Sequence, residues 1–193
     1  GTAPGADDVS SFVDVSAATL THEVELATPL AGGSRVFATV VASNPGGGMT
    51  EQSSDGVVVD DTPPDVSSAV VSVLADGASW TGITDSESLV DRYEWCVGIS
   101  GVSGGCDVMD WMTVGGAAVA RNPDVFGNIG DGSTVFVAVR ATNRAGLSAV
   151  VWSAGDQRDS SPPARGSVRI SSTGRITGYH DGGTVELTWE GFS

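Results

Sequence analysis

The sequence predicts an all-β chain of tandem β-sandwiches, and three observations carry that expectation. Residues 134–148, TVFVAVRATNRAGLS, alternate: Val135, Val137, Val139 and Ala141 share one side, and Phe136, Ala138, Arg140 and Thr142 the other. A period of two with one apolar side describes a strand with one buried face. The same pattern occurs 99 residues earlier at 35–50, RVFATVVASNPGGGMT, where Asn44 matches Asn143. A Pro-Pro pair follows each stretch, Pro63-Pro64 and Pro162-Pro163. Short strands repeating at a fixed period, with prolines at the junctions, describe sandwiches strung end to end.

Taken in order, residues 1–8 read as a turn and 9–15 as a short strand with Phe12 and Val15 facing a core. Residues 17–30 are ambiguous, because Leu20, Val24 and Leu26 alternate only in part. A turn at Ala31-Gly32-Gly33 leads into a strand at 35–43. Residues 49–53 and 57–60 form one broken strand, and Thr62-Pro63-Pro64 is a linker. Strands are expected next at 67–74, at 78–83 with Trp80, at 91–99, and at 108–114 with Trp111. Residues 85–87 make a polar turn and 101–105 a Gly-rich hairpin loop. Residues 128–132 turn into the opening stretch, 149–153 return, and Ser161-Pro162-Pro163 is the second linker. Strands at 166–170 and from 184 to 189 begin another unit.

The repeat extends beyond those stretches. At an offset of 99, Asp8, Val9, Phe12 and Val15 match Asp107, Val108, Trp111 and Val114. Gly33, Val36 and Phe37 match Gly132, Val135 and Phe136, and Gly56 matches Gly155. Further on the offset becomes 109, where Trp80-Thr-Gly82 matches Trp189-Glu-Gly191, which implies an insertion near 171–183. The division is therefore 1–64, the C-terminal part of one repeat; 65–163, a complete repeat of about 99 residues; and 164–193, the N-terminal strands of the next.

Residues 1–5 align with those that begin at Gly98, and Ser193 aligns with Thr84. The first unit is then expected to lack three strands, and the last to hold two. That would leave Val36, Val40 and Val57 on an open apolar face, which proteins avoid. The expectation is a window on a longer chain. The missing faces would come from residues outside it, or from a neighbouring copy lending strands head to tail. A contact of that kind that does not close gives a filament.

Residues 65–163 resemble a fibronectin type III or closely related Ig-like module. Trp80 stands where that family places its second-strand tryptophan, and Tyr93-Glu-Trp95 looks like the third strand. Val137, Val139, Ala141 and Asn143, then Gly146 and Ser148, resemble the family's sixth strand and turn. The family's corner tyrosine would fall at Val135, and at Val36 in the first copy, so its hydrogen bond is absent. The resemblance implies a divergent repeat of the kind found in long surface proteins of animals, protists and algae.

Composition narrows the function. A net charge of -15 disfavours nucleic acid and anionic membranes as partners. No apolar run approaches the ~18 residues of a membrane helix. No signal peptide is present, although the sequence starts at Gly1 rather than Met. All nine basic residues are Arg, which fits a GC-rich genome better than selected resistance to modification. No Asn-X-Ser/Thr acceptor occurs, since Asn44 and Asn122 precede Pro and Asn128 and Asn143 lack the hydroxyl residue.

Cys96 and Cys106, the two cysteines, flank the loop between the third and fourth strands. Two buried free thiols are one reading. A hairpin-closing disulfide is the other; it implies an oxidising compartment and would contribute ~2–3 kcal/mol. Acids gather near the linkers: Asp60, Asp61 and Asp65 at the first, Asp85, Glu87 and Asp91 around one turn, Asp156 and Asp159 before the second. Such carboxylates are Ca²⁺ candidates, above all Asp60, Asp61 and Asp65. However, the D-x-D-x-D-G pattern is missing, and the two linkers do not share their acids. The first has Asp61 and Asp65 on either side of Thr62-Pro63-Pro64, where the second has Ser160 and Ala164. Solvated acidic surface is therefore the expectation, and no cofactor is required. His22 and His180 are isolated. No G-x-S-x-G, Cys/His nucleophile pair or phosphate loop occurs, and no enzyme is expected. Of five tryptophans, Trp80, Trp95 and Trp189 sit in strand patterns, while Trp111 and Trp152 are the candidates for an exposed binding platform.

These readings lead to an extracellular or cell-surface structural or adhesive segment of a rod, stalk or filament such as a flagellar hair. Its partners would be neighbouring repeats or copies of itself, head to tail, with other surface or matrix proteins or glycans as further partners. The alternative is a non-catalytic glycan- or protein-binding module of a larger secreted enzyme or receptor.

Overall fold

The computed structural model describes residues 1–26, 28–101, 105–171 and 186–192. The chain has no strand before β1 (Arg35–Val36) and then continues through β2 (Thr39–Ser43), β3 (Met49–Ser53) and β4 (Val57–Val58) among the described residues. There follow β5 (Val70–Leu74), β6 (Gly77–Thr81), β7 (Val90–Gly98), β8 (Met109–Gly115) and β9 (Val119–Arg121). After α1 (Pro123–Gly127) come β10 (Thr134–Asn143), β11 (Ser148–Trp152), β12 (Asp156–Gln157), β13 (Ser167–Ser171) and β14 (Glu186–Glu190). His180 and the insertion near 171–183 lie outside the described residues, apart from Ser171.

Between the linkers two antiparallel sheets face each other. One has the order β11-β10-β7-β8, with β12 also on β10; the other is β5-β6-β9. The period-two pattern of β10 explains their packing. Val135, Val137, Val139 and Ala141 lie in one buried cluster with Val71, Ala78, Trp80, Trp95 and Phe126. Trp80 meets Tyr93 edge-on at 5.6 Å, and Trp95 stacks on Phe126 at 6.3 Å, the offset geometries that aromatic rings prefer. The molecule is thus all-β, and this part has the layers of a β-sandwich.

The sequence pattern assigns no element to residues 115–127, yet Phe126 is a core residue there. Its helix starts at Asn122, whose side chain accepts from the Val125 amide at 3.3 Å, with Pro123 in the first turn. An Asn cap followed by Pro is a sound helix start, but the helix is one turn long and too short to show a period.

The two hairpins share one geometry. The β2–β3 register runs from Thr39↔Ser53 to Ser43↔Met49, and the β10–β11 register from Ala138↔Trp152 to Thr142↔Ser148, which is the same pairing shifted by 99. Likewise Val36↔Val57 becomes Val135↔Asp156. Gly1 exchanges backbone hydrogen bonds with Phe37, as Gly98 pairs with Phe136. Gly56 (φ +80°) has the Phe37 ring 2.8 Å from where a Cβ would stand, and Gly155 (φ +90°) has Phe136 at 2.6 Å.

The surroundings differ. Val139 is fully buried, whereas its counterpart Val40 is 67% exposed, and Val57 is exposed as well. In the β13–β14 hairpin, Val168↔Trp189 repeats the pairing Val71↔Trp80. Trp80 is 2% exposed and Trp189 71%. The strand expected at 9–15 does not form, and Phe12 and Val15 are exposed rather than core. The matching segment, β8, is held by hydrogen bonds to β7. Residues 9–15 have no such neighbour among the described residues, and a lone strand leaves its backbone groups unpaired.

Trp80→Ala should lower the free energy of unfolding by about 3–5 kcal/mol in urea titration, whereas Trp189→Ala should change it by less than about 0.5 kcal/mol. Similar effects at both positions would contradict the burial described.

Candidate functional site

Two constellations stand out. The first lies on the outer face of the β11-β10-β7-β8 sheet. Ala138 is paired with Trp152 on one side and Cys96 on the other, so these three side chains share that face. Cys96 is buried and bridged to Cys106, with Cα atoms 5.5 Å apart. The bridge ties the end of β7 to the residues entering β8, across a loop whose residues 102–104 lie outside those described.

Arg140 is two residues along β10 on the same face. Its Nε and Nη2 donate to the two oxygens of Glu94, each at 2.8 Å. The same guanidinium lies 4.4 Å from the centre of the Trp111 ring, a cation–π stack under a two-pronged ion pair. Hydrogen bonding from Arg140 holds the Glu94 carboxyl below its ordinary value. Trp111 and Trp152 are both half-buried. They share the outer face, and Arg140 covers one side of the Trp111 ring.

The second constellation is the junction around Asn143. Its side-chain oxygen accepts from the Leu147 amide at 2.8 Å. Its nitrogen donates to Asp60 Oδ2 at 2.8 Å, to the Thr62 carbonyl at 2.9 Å and to Asp85 Oδ2 at 3.1 Å. One buried amide therefore joins the end of β10, the linker and the loop after β6. Asp85 Oδ1 accepts from the Ser88 and Leu89 amides at 2.9 Å each, shaping a loop in which Leu89 adopts φ 70°. Burial opposes the charge of Asp85, but the Asn143 amide and these backbone donors outweigh it, and its carboxyl lies below the ordinary 3.8.

Asp60, Asp85 and Glu87 offer carboxylate oxygens within 4.8 Å of one another. Of the acids singled out in the linker, Asp60 belongs to this group. Asp61 lies against Gly32 instead, with an oxygen 2.6 Å from where a Cβ there would be. Asp65 accepts from the Ser67 amide at 2.8 Å. Asp85 and Glu87 join Asp60 from a separate loop, which linear spacing does not reveal. The Asn143 amide already stands between the Asp60 and Asp85 carboxylates, so a neutral donor meets part of the need that a cation would meet. His22 is exposed in irregular chain.

No helix of the described residues is long and apolar enough to cross a membrane. Comparison of the chain with protein-family models, curated proteins and solved structures finds no match.

Asn143→Ala should cost about 1–3 kcal/mol at neutral pH, because it leaves buried acceptors without their donor. Asp85 has a depressed carboxyl pKa, so its stabilisation is present above the ordinary value and is lost as pH falls through the depressed one. The gap between wild type and Asn143→Ala, measured by urea unfolding from neutral to strongly acidic pH, should narrow on acidification. A gap that widens would contradict this assignment.

Proposed function

We propose that this chain is an extracellular structural segment of a tandem array of fibronectin type III-like sandwiches, serving as part of a rod, stalk or filament at a cell surface. Its role is mechanical or adhesive and involves no catalytic step. The observation that carries this reading is the Asn143 junction. Asp60 and Thr62 belong to the linker, and both are fastened to the sandwich that follows. A stiff rod needs junctions of this kind, because an unrestrained linker would let successive sandwiches swivel.

Two further features support it. The Cys96–Cys106 bridge suits an oxidising compartment. A net charge of -15 keeps an extended, exposed chain soluble and away from nucleic acid. The glycan-binding alternative would use Trp111 and Trp152, but the guanidinium over Trp111 leaves less of that ring for a sugar. The mechanical reading is therefore preferred.

Antibodies raised against the purified chain should label intact source cells or their surface fibres. Protein recovered from that material should show no alkylatable thiol before reduction and two after it. Labelling that requires permeabilised cells, or two free thiols in native material, would overturn the extracellular assignment.

A further inference from the structure

Two apolar faces of this molecule lack cover, and the molecule itself contains the pattern for joining them. In the closed part, the β5–β6 hairpin places Val71, Val73, Ala78 and Trp80 against Val135, Val137, Val139 and Ala141 of β10. The β13–β14 hairpin presents the same arrangement, with Val168↔Trp189 and Ile170↔Leu187 paired and all four exposed. Residues 35–43 present the same arrangement as β10, with Val36, Ala38, Val40 and Ala42 in the matching places and Val40 open to solvent.

We propose that the β13–β14 hairpin of one copy docks on the β1–β4 and β2–β3 face of a second copy, seating Trp189 against Val36 and Val40 as Trp80 is seated against Val135 and Val139. The inference rests on the reading of the chain as a segment of an array, and it names the surfaces by which copies join.

The polar clamp of the junction is also present on both sides of this contact. Asn44 matches Asn143, and its side-chain oxygen accepts from the Gly48 amide at 2.9 Å, as that of Asn143 does from Leu147. The Asn44 side-chain nitrogen has no acceptor among the described residues. In the second linker, Asp159 accepts from the Ser161 amide at 3.0 Å, the turn that Asp60 makes with Thr62 at 3.1 Å. A docked hairpin would bring Asp159 and the Ser161 carbonyl of its own chain to Asn44 of the other.

Charge favours the same pairing. Residues 1–62 carry nine acids against Arg35 alone, whereas residues 164–193 carry three arginines and three acids. Two heads would repel each other; a tail on a head does not. A contact between unlike surfaces that does not close adds copies in line. Neither surface supplies a counterpart of β7, so the union is face to face, and it is a weak, reversible one.

Sedimentation velocity from about 1 µM to about 1 mM covers the range of such contacts. The wild-type chain should grow past a dimer as concentration rises. Trp189→Asp and Val40→Asp should each weaken this about tenfold or more, with the melting of the 65–163 sandwich unchanged. An equimolar mixture of the two variants should form a dimer that grows no further, because one keeps the face and the other the hairpin. A chain monomeric throughout, as when further residues of a longer chain cover both faces, would overturn the proposal. So would association that survives both substitutions, or a mixture that does not pair. Such failure leaves the surface-labelling result untouched, so the two readings fail separately.

Discussion

The ordered part of this molecule depends on covering one side of β10. Val135, Val137, Val139 and Ala141 make that strand stable only if water is kept from them. The β5-β6-β9 sheet supplies the cover, with Trp80 its largest fully buried side chain. The same strand chemistry at 35–43 has no second sheet above it among the described residues. It keeps its hairpin register but leaves Val40 exposed. Local sequence is thus enough to specify the hairpin, whereas burial requires a partner sheet.

The outer face and the junction follow from that core. Once alternate residues of β10 are buried, the others point outward, and Ala138 and Arg140 build the surface that holds Trp152, Cys96, Glu94 and Trp111. Where the strand ends, Asn143 turns its amide to Asp60 and Asp85. Bonds from charged acceptors to a buried donor are among the stronger polar contacts. The linker is therefore gripped by the same strand that anchors the core.

Much of this was legible in the sequence because it is periodic. Alternation located β10, the repeated Asn-x-x-Gly turn located its copy, and β3 falls where expected. Strand ends differ by a few residues, as with β7, expected at 91–99 and found at Val90–Gly98. What was not legible depends on contacts distant in sequence. The alternation of residues 9–15 suggests a strand, but a strand also needs a neighbour to accept its hydrogen bonds. One turn of helix at Pro123–Gly127 is too short to show a period. The junction brings Asp60 to Asp85 and Glu87 through folding, so no spacing rule finds it. The missing corner tyrosine is consistent with Val135, which is buried in the core with no hydroxyl to satisfy.

Amide hydrogen exchange on dilute protein tests most directly whether a covering sheet separates the two copies of the strand. The account predicts that the Val137, Val139 and Ala141 amides exchange only through global unfolding of the sandwich. The matching Ala38, Val40 and Ala42 amides should exchange far faster, through local opening. Equal protection at the two sets of sites would contradict it.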